Sequence, residues 1–528
     1  MLINKVLALQ TIFFISLSSL IACGGSGSSE PDEPDEPAFS TNVFQNETSF
    51  KNLCETPRTG TDQFTGGAYP DLAGSLLQEN YWLRSWSNNT YLWYSEITDQ
   101  NPANFSSTST YFDELVTLQT TSSGQLKDKF HFTYPYDEWQ QLTQSGISAG
   151  YGAKFAILSS SPPRQVLVAF TEPNTPATTA NLPRGAEILQ IDGVDLVNAN
   201  DQTSVDIINA GLFPSESNEP HTFVIREVGA TEDRSITMSS AEITKSPVQN
   251  TSTIDTATGK VGYLLFTTHI ATAESQLVNA INELKAENIT DLVLDLRYNG
   301  GGLLDIASEL AYMIAGSGPT QGQSFDNLTF NDKHTSTNPV TGRNLSPTPF
   351  HTSSLGFSVN QGQVLPTLDL ERVFILSTSS TCSASEAIIN GLRGIDVEVI
   401  LIGSTTCGKP YGFYPTDNCG TTYFTIQFKG SNAKSFGDYS DGFSPENTAA
   451  TVGEIVTGCS VADDFSKLLG DPEEAQFKAA LDYRENGSCP TPTAKGVQMS
   501  DKSQSVKAIR IMSSSEVSQL LNNSIYRR

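Results

Sequence analysis

Histidine is scarce in this chain: five residues in 528, scattered as His131, His221, His269, His334 and His351. With no histidine cluster and no Cys-x-x-Cys spacing, no ligand set for a structural zinc is present, and neither a metal site nor a cofactor is expected. The same scarcity weakens a serine–histidine triad. Only His269, at the end of an expected core strand, could reach a sheet edge, and a structural histidine is the better reading. Positive charge is short too, with 31 Lys and Arg against 58 Asp and Glu and a net charge of −27. That balance excludes nucleic acid as a partner, disfavours anionic membrane surfaces and promotes solubility. No internal repeat is apparent.

What the chain does have is a small-residue turn between a strand and a helix. Arg372 to Ser377 reads as a short, β-branched, buried strand. Thr381-Cys382-Ser383-Ala384-Ser385-Glu386 follows, and then a helix with Ala387, Ile388, Ile389 and Leu392 on one face. Ser383 therefore sits where helix amides and the helix dipole stabilise negative charge. A second strand, Glu398 to Ile402, leads to Gly408-Lys409; if the strands are neighbours, Lys409 can approach Ser383. A serine hydroxyl needs a base to become a nucleophile, and lysine serves only when neutral. From a reference pKa of ~10.4, use near neutrality requires a fall of roughly 3, or ~4 kcal/mol. Burial supplies shifts of that size, and Pro410, Tyr411, Phe413 and Tyr414 offer apolar surroundings. A helix-capping serine and a surface lysine would be the plain alternative.

A third segment, Asp291 to Arg297 as a strand, Tyr298 to Gly302 as a turn and Leu303 to Met313 as a helix, carries three consecutive glycines. Such a run is tolerated where the backbone must come close to something. The Gly301 and Ala384 N–H groups could together form an oxyanion hole.

Jointly, Asp295-Leu296-Arg297-Tyr298-Asn299-Gly300-Gly301, Ser383-Ala384-Ser385-Glu386 and Gly408-Lys409, with the lysine 26 residues after the serine, resemble the carboxyl-terminal processing, or tail-specific, proteases. The resemblance covers roughly residues 75 to 485. It implies Ser383 as nucleophile, Lys409 as general base, the Gly301 and Ala384 amides as oxyanion hole, and a protein or peptide substrate. Many family members carry a glutamine four residues after the lysine to orient its amine; here Phe413 stands there. Gln427 or Asn418 could take over that role, or packing alone could position Lys409. An inactive relative using the same fold as a peptide-binding module is the alternative function.

At the amino end, Lys5 precedes an apolar stretch, Val6 to Ala22, too short and one-sided for a good membrane span. Its end, Leu20-Ile21-Ala22-Cys23, resembles a bacterial lipobox, which implies cleavage before Cys23 and a lipid anchor on its thiol. Gly24 resembles lipoproteins sent to the outer membrane, so the expected location is the cell envelope, facing the periplasm. Six further cysteines in such a compartment invite disulfides. Cys407–Cys419 would close a short loop around Lys409 and Cys459–Cys489 would staple the C-terminal region, leaving Cys54 and Cys382 to pair or stay free.

The expected organisation is a signal segment (1–22), the lipidated cysteine with a disordered tether (23–40), a helical domain (41–144) and a β domain (145–243). A mixed α/β core (244–485) and a loosely packed tail (486–528) follow. The tether, rich in Gly, Ser, Glu, Pro and Asp, cannot bury enough to order itself. In the helical domain, Trp82, Trp86, Trp93 and Tyr94 should form a small core. Leu182 to Gly193 is similar to the PDZ domains of bacterial proteases, with Ala186 in place of the usual aspartate. Such domains add a chain end as a strand and hold its carboxylate on a glycine-loop backbone, here near Tyr151-Gly152; a domain that only gates the site is the other reading.

Overall fold

A computed structural model describes residues 37–448 and 453–490. The signal segment, Cys23, most of the tether and the tail beyond residue 490 lie outside the described residues. The central element is a six-stranded sheet in the order Val248–Thr256, Gly259–Phe266, Asp291–Asp295, Arg372–Ser377, Glu398–Gly403, Gly458–Ser460. Its first pair is antiparallel and the rest run parallel.

Alternation along these strands explains the layering. Leu264, Leu294, Ile375 and Leu401 turn to one face, where the helices Ala273–Ala286, Leu304–Ala315 and Ala384–Gly394 cover them. Tyr263, Val293, Phe374 and Ile400 turn to the other, packing with Phe477 and Ala480 of helix Ala475–Asn486. A sheet buried on both sides needs near-continuous apolar strands, as the run Val373 to Leu376 supplies. Parallel order puts the ends of four strands, at Phe266, Asp295, Ser377 and Gly403, along one edge, the usual place for a site in such sheets.

The segment expected to be a helical domain departs from that reading. It has one long helix, Leu76–Thr90, with short 3-10 turns, and the ten-residue helix Tyr136–Ser145. Its strand Phe132–Pro135 pairs antiparallel with Thr421–Phe424 of the mixed α/β core. Trp82 and Trp86 stack at 5.1 Å, as i,i+4 spacing dictates, but Trp93 packs edge-on against Tyr411 near the site instead. An isolated short segment cannot bury four large aromatics, so two of them join the neighbouring core.

The β domain is a sheet in the order Arg234–Ser239, Pro220–Arg226, Glu187–Ile191, Gln165–Thr171, Ala153–Ser159, with helix Gln202–Leu212 packed on it. Its Arg184 reaches the core: the guanidinium donates to the Tyr298 hydroxyl at 2.7 Å and pairs with Asp463 at 2.6 Å. Fully buried Arg297 meets Asp295, Asp463 and Glu474 at 2.6, 3.0 and 2.9 Å. Removing one partner from such a buried cluster strands a charge and costs roughly 3–5 kcal/mol.

Candidate active site

Ser383 occupies a sharp turn between strand Arg372–Ser377 and helix Ala384–Gly394. Its φ of +59° with ψ −116° is sparsely populated for a residue with a Cβ, and such strain persists only where surroundings impose it. They do so here. The Thr381 hydroxyl donates to Leu296 O at 2.8 Å, Cys382 N–H to Asn299 O at 3.1 Å, and Ser383 N–H to Glu386 Oε2 at 3.0 Å. The Ser383 side chain is fully buried, and its Oγ has no hydrogen-bond partner among the described residues. Ala384 opens the helix, so its N–H has no intrahelical acceptor.

The glycine run lies against this turn. Gly301, at φ +103°, backs onto it so closely that a Cβ there would stand 2.8 Å from Ser383 Cβ and 2.9 Å from the Ala384 nitrogen. Asn299 ties the loop down: its Oδ1 accepts from Gly301 N–H at 2.9 Å, its Nδ2 donates to Phe266 O, and its carbonyl accepts from Ser385 Oγ. The Gly301 N–H is thus engaged within its own loop, because an asparagine side chain readily folds back two residues. The Ala384 N–H is the donor at the head of the helix.

Lys409 reaches the same edge from strand Glu398–Gly403. Glu386 joins the two segments: besides Ser383, it accepts from Gly408 N–H at 2.9 Å, Lys409 N–H at 2.8 Å and the Thr406 hydroxyl at 2.5 Å. Its own carboxyl is raised by burial, which these donors offset in part. The Lys409 amine lies 4.3 Å from the Phe413 ring centre and 4.8 Å from that of Phe130, with the side chain wholly buried. Burial drives its pKa well below the ordinary value, against the opposing fields of Asp128 and Glu386. Phe413, where the family usually has glutamine, forms part of the apolar wall. Gln427 and Asn418 have other attachments: Gln427 Oε1 accepts from Tyr414 N–H, and Asn418 Oδ1 from Asn52 N–H.

One expected disulfide is corrected. Cys407 bonds Cys382, not Cys419, and Cys419 bonds Cys54; Cys459 bonds Cys489. Cys407 and Cys419 are near in sequence, but the chain between them runs out through strands Tyr411–Gly412 and Thr416–Asn418. The N-terminal segment lies along the second of these, through Asn52 and Asn418, and brings Cys54 to a Cα distance of 5.4 Å from Cys419. The bridge Cys382–Cys407 therefore staples the serine turn to the lysine loop.

His269 reaches the site from the end of a core strand, the one histidine whose sequence position allowed it. It is fully buried beside the glycine loop, with Nδ1 3.0 Å from Asn299 Oδ1, and burial lowers its pKa to about 3. Since Asn299 Oδ1 is an acceptor, Nδ1 carries the proton and the ring is neutral. Tyr151, expected at a carboxylate loop, is a core side chain whose hydroxyl donates to Gly211 O; Gly152, at φ +76°, turns the chain beside it. Sequence reasoning left Glu386, Asp128 and Phe130 without roles. A serine followed three residues later by glutamate at a helix start is a capping-box signal that pointed to Glu386; the segment around Asp128 carries no comparable signal.

A strained serine at a strand–helix turn, a dry lysine joined to it through a carboxylate, and a glycine loop against the helix head define a serine-type peptidase domain. Residues 260–414, which carry the serine turn and the lysine loop, match the model of peptidase family S41. The chain is 29% identical over 176 residues to a carboxyl-terminal-processing protease of Picosynechococcus, covering 32% of this chain and 39% of that one. It is 28% identical over 174 residues to the chloroplastic carboxyl-terminal-processing peptidase 2 of Arabidopsis thaliana, covering 32% of each. The chain thus spans well under half the length of these relatives. A crystal structure of a putative S41 protease from Bacteroides fragilis superposes with a TM-score of 0.57 at 23% identity, over 80% of this chain and 98% of that one, and shares the fold.

Proposed function

We infer that the protein is an endopeptidase that cleaves peptide bonds through an acyl-enzyme on Ser383, with Lys409 as general base. The neutral amine takes the hydroxyl proton as Oγ attacks the carbonyl carbon, then returns it to the leaving amine; water repeats the cycle in reverse to free the acid. The oxyanion falls at the head of helix Ala384–Gly394, where the Ala384 N–H and the helix dipole stabilise it. The Gly301 N–H joins it by exchanging Asn299 Oδ1 for the oxyanion. Asp128 and Glu386 limit how far the lysine pKa falls, and Phe413 and Phe130 hold the amine by packing where the family glutamine is missing.

The observation that carries this reading is the Glu386 bridge. One buried carboxylate accepts from the backbones of both Ser383 and Lys409, so nucleophile and base are built as one unit. Extended segments of exported proteins are the proposed substrates, entering through the β domain. Cys23, by its lipobox, is the proposed lipid anchor, and the periplasmic side of the outer membrane the proposed location. Fluorophosphonate labelling and cleavage of an unstructured protein test the reaction. Labelling and cleavage in the wild type, both lost in Ser383→Ala, are expected; wild type and Ser383→Ala behaving alike would sink the reading.

A further inference from the structure

The mechanism above leaves His269 unused, although it lies against the loop that carries Gly301. Its backbone brackets that loop: His269 N–H donates to Gly301 O at 3.1 Å, and His269 O accepts from Leu303 N–H at 2.8 Å. Between them, Gly302 comes so close that a Cβ there would stand 2.5 Å from His269 O, which only glycine allows. The ring packs edge-on against Phe266 with centres 4.5 Å apart and points Nδ1 at Asn299 Oδ1, 3.0 Å away. His269 and Asn299 are both wholly buried, so water does not replace a hydrogen bond lost between them.

The amide of Asn299 has a fixed orientation. Its Nδ2 donates to Phe266 O at 3.0 Å and its Oδ1 accepts from Gly301 N–H at 2.9 Å; turned over, it would set donor against donor and acceptor against acceptor. Oδ1 therefore holds two donors at once, Gly301 N–H and His269 Nδ1–H, one for each lone pair. When the Gly301 N–H turns to an oxyanion, Oδ1 keeps a donor because His269 is there. Without the ring, the same exchange would strand a buried acceptor, and that cost would fall in the transition state alone. Burial also holds the ring neutral, with a pKa of about 3. Near neutrality it brings no charge to the loop and is too weak a base to serve Ser383.

We propose that His269 is a positioning residue of the oxyanion hole, its Nδ1–H retaining Asn299 Oδ1 when the Gly301 N–H leaves it for the oxyanion. The proposal rests on the acyl-enzyme reading given above, and gives a neutral histidine a part in transition-state stabilisation apart from nucleophile and base. No proton is transferred and no covalent bond changes at the ring; one hydrogen bond of its partner is exchanged for another. An N–H donor at the place of Nδ1 is the whole requirement. Asparagine at 269 meets it through its Nδ2, and phenylalanine, of similar size, does not.

Cleavage of an unstructured, fluorescence-quenched peptide by the full chain gives kcat and KM. A peptide aldehyde, which adds to Ser383 and places its oxygen in the oxyanion hole, is compared with the matching unreactive alcohol. His269→Phe should lower kcat roughly ten- to hundred-fold, the worth of one buried acceptor left unmade. Its KM should stay within about twofold of the wild type, since the loss falls in the transition state. Aldehyde binding should weaken with kcat/KM while the alcohol binds as before, and His269→Asn should recover most of both losses. The wild type reports as well, with its histidines isotope-labelled for magnetic resonance. The His269 Nδ1 proton should move downfield when the aldehyde adds, because its acceptor has lost the competing donor. His269→Phe at the wild-type kcat, equal losses in the phenylalanine and asparagine variants, a rise in KM in place of the fall in kcat, or a proton resonance unmoved by the aldehyde each overturns the proposal. A variant that fails to fold leaves the wild-type resonance to decide. If the aldehyde does not add to the wild type, or binds Ser383→Ala equally well, it is the peptidase reading that fails instead.

Discussion

Ser383 pays for its position with backbone strain, and Gly301 is what the neighbouring loop needs to lie against it. A methyl group at 301 would have to displace backbone and Ser383 Cβ rather than a flexible side-chain tip, and at φ +103° any L side chain is strained as well. Gly301→Ala should cut the fluorophosphonate labelling rate at least tenfold while leaving a folded chain; labelling at the wild-type rate would show that the loop does not set the oxyanion geometry. His269 makes a different prediction. An imidazole with an unfolded pKa near ~6.5 is held neutral in the fold down to about pH 3. Between those values the unfolded chain takes a proton that the folded one refuses, so this residue makes stability fall as pH drops. Denaturant midpoints measured for His269→Gln should therefore decline less from pH 7 to pH 4 than those of the wild type.

At the scale of elements, the strand–turn–helix units were legible because each follows a local rule. Arg372–Ser377 has the expected bounds, and the helix expected from Ala273 to Asn288 runs Ala273–Ala286. Ser383 and Lys409 could be brought together from sequence because two parallel neighbours with adjacent ends leave little freedom. What was not legible depended on contacts distant in sequence. Phe130 and Asp128 reach Lys409 from a segment nearly three hundred residues away, and the disulfide partners were misread because nearness in sequence says nothing of where the intervening strands go. Engagement of the Gly301 N–H by Asn299 is likewise a conformational detail that no pattern encodes. Glu386 is the testable joint between elements. Glu386→Ala removes the acceptor for four donors of the serine turn and the lysine loop, each costing about 1–3 kcal/mol if left buried and unmade. Labelling should fall steeply, with Glu386→Gln retaining more activity than the alanine variant.

Across the whole molecule, the N-terminal segment is part of the active-site wall rather than a separate module. Cys54–Cys419 closes a loop of 365 residues of separation, and the strand pairing of Phe132–Pro135 with Thr421–Phe424 adds a second tie. A native bridge of this kind contributes about 2–4 kcal/mol. Cys54→Ser with Cys419→Ser should lower the unfolding free energy by that amount; an unchanged denaturant midpoint would mean that the segment is held by packing alone. Ser383 and Lys409 are both fully covered, and the rings of Phe130 and Phe413 keep water from the amine.

The pH dependence of Ser383 labelling tests that dry lysine most directly. A lysine is a base only above its pKa, so labelling should be lost as pH falls through a limb lying well below ~10.4, with activity present at neutrality, and Lys409→Met should abolish it at every pH. A limb at the ordinary lysine value, or a profile that survives Lys409→Met, would contradict the account.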